Sequence, residues 1–78
     1  MISAEVSLYP VETLDSDQVI MDSLKSITEY DLNYDIGSLS THLRGDKEQV
    51  WSGIRAIHEK ALATGHEVVM VVTISNAM

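Results

Sequence analysis

The sequence predicts an α+β domain with elements in the order βαββαβ, a four-stranded antiparallel sheet and both helices on one face of it. Three observations predict this. The first residues alternate, with Ile2, Ala4, Val6 and Leu8 interleaved by Ser3, Glu5, Ser7 and Tyr9. Period two with a single apolar parity marks a strand covered on one side. Val50, Ile54, Ile57 and Ala61 recur at i, i+4, i+7 and i+11, a helical stripe. The closing segment from His66 to Ser75 is apolar on both parities, Val68, Met70, Val72 and Ile74 against Val69 and Val71, as in a strand that expects cover on both faces. Together these define the split-βαβ, ferredoxin-like plan, with residues 1–78 forming one domain.

Pro10 is expected to close the first strand, because it has no N–H to give to a ladder. A helix follows from about Ser16 to Tyr30. Asp15 and Gln18 give it a capping-box-like start. Ile20, Leu24 and Ile27 form its apolar face, flanked by Val19 and Tyr30. Tyr34 to Gly45 reads as two short strands with a bend near Gly37-Ser38 or Leu39-Ser40. In the second of them Leu39, Thr41 and Leu43 share the core-facing parity. Asp46 and Gln49 form a second capping-box-like pair, and Gly65 stands where a left-handed helix cap belongs. The expected core is Ala4, Val6, Leu8, Ile20, Leu24, Ile27, Val50, Ile54 and Ile57.

Composition excludes several classes of function. The net charge is −7, and the five basic residues are scattered along the chain. Nucleic-acid binders need clustered cations that release phosphate counterions, so no nucleic-acid partner is expected. No apolar stretch approaches the roughly 20 residues of a membrane span. The opening Met1-Ile2-Ser3-Ala4-Glu5 lacks the basic region of a secretory leader. There is no cysteine, which removes disulfides, thiolate metal sites and a cysteine nucleophile, and suits a cytoplasmic protein. A chain of 78 residues buries only about 60–70% of its unfolded surface, so self-association is a natural source of added stability.

Motifs for chemistry are missing. His42, His58 and His66 have no partner at a metal-ligand spacing. No nucleophile elbow surrounds Ser7, Ser38, Ser40 or Thr41, and the four glycines are too far apart for a phosphate loop. No catalytic residue, metal or cofactor is expected. Trp51 lies just beyond the stripe of the second helix, one heptad before His58. It reads as a packing residue or as a stacking platform. Tyr9 and Tyr34 have the same two readings, and their positions at strand ends favour the second, at the rim of a pocket.

The run Tyr34-Asp35-Ile36-Gly37-Ser38-Leu39-Ser40-Thr41-His42-Leu43-Arg44-Gly45 resembles the central segment of the small thiamine-binding proteins of the YkoF and MTH-type group. The first strand, ending in Tyr9-Pro10, and the helix with Val50, Ile54, Ile57-His58-Glu59, Leu62 and Gly65 extend the likeness over nearly the whole chain. The resemblance implies a ferredoxin-like subunit in homodimers that pair into homotetramers. It also implies binding of thiamine or its hydroxymethylpyrimidine part without catalysis. The matching positions are Thr41 and Gly45, Ser7 on the first strand, and Tyr34 and Gly37 on the strand before the threonine. Ser7 and Thr41 would offer hydroxyls to the aminopyrimidine. Tyr9, Tyr34 or Trp51 would stack on a ring, and Glu5, on the same strand face as Ser7, would meet the thiazolium charge. Set against this are two other classes on the same plan: an ACT-like regulatory module for amino acids, and a protein-interaction subunit using the open sheet face.

Overall fold

Alternation sends successive side chains of β1 (Ile2–Val11) to opposite sides, so Ala4, Val6 and Leu8 are buried while Glu5 and Tyr9 are exposed. The computed structural model describes residues 1–11, 16–37, 39–65 and 67–76. In it β1 lies between β3 (Thr41–Gly45) and β4 (Glu67–Ser75), and β2 (Asn33–Ile36) extends the sheet beyond β3. The order is β2-β3-β1-β4 and every pairing is antiparallel. α1 (Ser16–Leu24), prolonged by a 3₁₀ segment over Lys25–Glu29, and α2 (Lys47–Leu62) pack on one face. This is the ferredoxin-like α+β arrangement that the sequence predicts. The side chains of residues 16, 17, 19 and 29 lie outside the described set, as do Asp15 of the expected first cap, Ser38 and His66.

The core is the contact of the helix stripes with the inner parity of β1 and β3. Leu24, Ile27, Leu43, Val50, Ile54, Ile57 and Ala61 join Ala4, Val6 and Leu8 there. Ile20 packs against this cluster and is partly buried. Gly53 permits the close approach of α2 to the chain after the 3₁₀ segment, since a Cβ at that position would lie 3.0 Å from Leu32 Cδ2.

The two ladders of β1 differ in length. With β4 the register runs from Ser3–Ser75 to Val11–Glu67, whereas with β3 it runs only from Ile2–Gly45 to Val6–Thr41. Past Val6, β1 has no strand partner on its β3 side among the described residues.

Four expectations are corrected. β1 passes through Pro10, which is in register with Val68, and continues to Val11; a proline is tolerated in a strand with one open edge. Leu39 is not in the core. It is 88% exposed, in the turn closed by the Gly37 N–H donating to the Ser40 carbonyl at 2.9 Å. The first helix tightens to 3₁₀ at Lys25 rather than running to Tyr30 as an α-helix. Asp46 occupies the cap position of α2 with extended backbone but makes no side-chain cap bond, and Gln49 Oε1 instead accepts from the Asp31 N–H at 3.2 Å.

Gly65 has φ +79°, and its N–H donates to the Leu62 carbonyl at 3.1 Å. A Cβ there would meet nothing within 4 Å, so the only cost of a side chain is left-handed backbone strain. Gly65→Ala is expected to lower the unfolding free energy by about 1 kcal/mol. Urea denaturation reads this as a lower midpoint with an unchanged slope.

Candidate functional site

The unequal ladders open a notch in the sheet. Where β3 begins, at Thr41, β1 continues with no strand on that side among the described residues, and the turn through Gly37, Leu39 and Ser40 stands across from it. Ile20 and Leu24 of α1 supply the apolar wall. The cavity measures about 650 Å³, within the roughly 300–1,000 Å³ of small-molecule sites.

Of the residues expected at a binding site, the notch brings together Glu5, Ser7, Tyr9, Gly37 and Thr41. Thr41 belongs to the inner parity with Val6, its register partner, and Ser7 to the outer one. The notch interrupts the sheet and so admits both. Thr41 is 3% exposed and lines the cavity. Tyr9 is 54% exposed at the rim.

Glu5 occupies the floor of the open face and is held there. Its Oε2 lies 2.9 Å from His42 Nε2, the register partner across the β1–β3 ladder. Both side chains are more than half exposed, so the pair contributes little to stability and chiefly orients the carboxylate.

Two expected residues stand elsewhere. Tyr34 is in register with Leu43, on the helix-bearing side of edge strand β2, and is not among the residues lining the notch. Trp51 lines a separate groove with Met70. Reasoning from parity also missed Ile20, Leu24, Leu39 and Ser40 as lining residues. The one signal for them was an apolar Leu39 placed in a turn. No group of three or more His, Cys, Asp or Glu among the described residues is arranged to hold a metal ion. No helix among the described residues is long and apolar enough to cross a membrane.

Fold and notch together define a small open-faced α+β module with a cleft at the end of a truncated strand. The chain belongs to the YKOF-related family, whose model matches residues 1–77. No curated protein sequence matches it. Among solved structures the fold is similar to protein SP2199 of Streptococcus pneumoniae, at 17% identity and a TM-score of 0.90, covering 99% of this chain and 87% of that one. It is similar to protein MJ1052 of Methanocaldococcus jannascii, at 22% identity and 0.87, covering 99% and 80%. It is also similar to TM0486 of Thermotoga maritima, a protein named for a proposed role in thiamine biosynthesis or salvage, at 17% identity and 0.81, covering 97% and 83%.

Proposed function

We propose that the chain binds thiamine, or its hydroxymethylpyrimidine part, in the notch and performs no chemistry on it. The observation that carries this reading is the meeting of Ser7, Thr41, Glu5 and Tyr9 at one cavity. Two hydroxyls that donate or accept suit an aminopyrimidine, whose ring nitrogens accept and whose amino group donates. The Glu5 carboxylate faces a thiazolium cation, and the Tyr9 ring offers a stacking surface. Membership of the YKOF-related family and the role for which TM0486 is named support the same ligand. A binding role fits better than catalysis, because among the described residues neither Ser7 nor Thr41 is hydrogen-bonded to a histidine that would activate it. Calorimetry with thiamine is the test. Saturable binding is expected, and none at millimolar thiamine removes the ligand.

The same proposal includes a cytoplasmic, one-domain subunit that assembles into homodimers and then homotetramers. Tyr9, Val69 and Val71 form one apolar patch on the sheet face that bears no helix: Tyr9 is in register with Val69, and Ser7 with Val71. Val69 and Val71 are 52% and 51% exposed. Apolar surface of this kind marks an interface. Light scattering at micromolar concentration is expected to give a multiple of the 8.6 kDa protomer, and Val71→Asp is expected to reduce it. A native protein of protomer mass would end this part of the proposal.

A further inference from the structure

A second cavity lies between α2 and β4, and none of the residues lining it lines the notch. It measures about 550 Å³ and holds the chain's sole tryptophan. Trp51 is 48% exposed, a large aromatic surface left in water beside an apolar floor of Ile54 and Met70. Arg55 and His58 follow it at i+4 and i+7 and line the same cavity. Helical side chains lean toward the N-terminus, so the Arg55 stem lies back over the turn that carries Trp51. Arg55 is exposed and has no ion pair among the described residues. Glu48, at i−3 from Trp51, closes the opposite end with negative charge.

We propose that this groove binds a planar aromatic carboxylate, with its ring on the Trp51 indole and its carboxylate on the Arg55 guanidinium beside His58. The groove sets the polarity. Glu48 repels the anionic end, and Arg55 provides the planar donor fork that fits a carboxylate in two hydrogen bonds. The charge count sets the valence. Arg55 can pair with one carboxylate and Glu48 already brings a negative charge to the groove, so a nucleotide or other polyanion would add surplus charge to a chain of net −7. Arg55 likewise disfavours a cationic ring such as thiazolium, so the two cavities select ligands of opposite charge.

The sole tryptophan makes the test direct. Nicotinate added to the full chain is expected to quench tryptophan emission along a saturable curve. Arg55→Gln should weaken that binding about tenfold, the loss of one charge-assisted contact. Nicotinamide, with the same ring and no charge, should bind at least as weakly to the native chain. Ser7→Ala and Thr41→Val should leave the nicotinate curve unchanged, which separates this groove from the notch. Quenching that stays linear in nicotinate, that nicotinamide reproduces, or that survives Arg55→Gln overturns the proposal. Emission that responds to protein concentration but not to nicotinate gives the groove to a second copy of the chain and also overturns it.

Discussion

Replacing Leu43 by alanine is expected to lower the unfolding free energy by about 2–5 kcal/mol. Leu43 is wholly buried. It sits on β3 in register with Ala4 of β1, and its Cδ1 would lie 3.8 Å from a Cβ built on Gly53 of α2. Two of its neighbours are thus already the smallest residues available and cannot move side-chain atoms into the space left behind. A chain of this length holds about 4–12 kcal/mol in all, at the usual 0.05–0.15 kcal/mol per residue, so the variant lies near the edge of folding. Leu39→Ala is the control. At 88% exposure, its loss should register within about 0.5 kcal/mol. Urea titration of the two variants measures the contrast, and comparable losses would place Leu39 in the core and contradict the turn described for it.

Thr41→Val is expected to weaken thiamine binding roughly 5–30-fold, the equivalent of about 1–2 kcal/mol for one buried hydrogen bond. Valine keeps the shape of threonine and removes only the hydroxyl, so the β3 ladder and the core beneath it should persist. Ser7→Ala should act in the same direction, from the other face of the sheet. If the native protein binds thiamine and both variants bind it equally well, the ligand sits outside the notch. The Leu43 and Thr41 results are independent, since one reads the core through denaturant and the other reads the cavity through heat of binding.

Much of the fold was legible because its signals are periodic. The alternation of β1 and the stripe at Val50, Ile54, Ile57 and Ala61 each persist for several turns or pleats and appear in the structure as buried rows. What escaped was a matter of where a period stops. Leu39 shares the parity of Thr41 and Leu43, but parity has meaning only inside a strand, and β3 begins at Thr41. Ile27 fits a 3.6-residue period as well as a 3₁₀ turn over so few positions, so the tightening at Lys25 left no mark in the pattern. Pro10 reads as a terminator only if β1 has a neighbour on both sides along its whole length, which it lacks.

The site was legible by residue type and obscure in geometry. Glu5, Ser7, Tyr9, Gly37 and Thr41 stand around one cavity, although the parities of Ser7 and Thr41 place them on opposite faces of the sheet. Ladder length resolves the conflict, and no local pattern encodes it, because it depends on how far a distant strand reaches. Trp51 read as a packing residue or a stacking platform, and only the position of Met70 on β4 shows which cavity it enters.

The longer of the two β1 ladders also governs when this protein can finish folding. It joins Val11 to Glu67 at one end and Ser3 to Ser75 at the other, so each of its pairs spans most of the polypeptide. Contacts of such high sequence separation require closing a large loop before they repay it, and they slow folding. β1 is made well before β4, and of its two strand neighbours among the described residues β3 comes first. The helices can dock on β1 and β3 in the meantime, but the Val69 and Val71 patch does not exist until β4 arrives. The outer sheet face around Tyr9, Val69 and Val71 is therefore completed only in the step that closes this ladder.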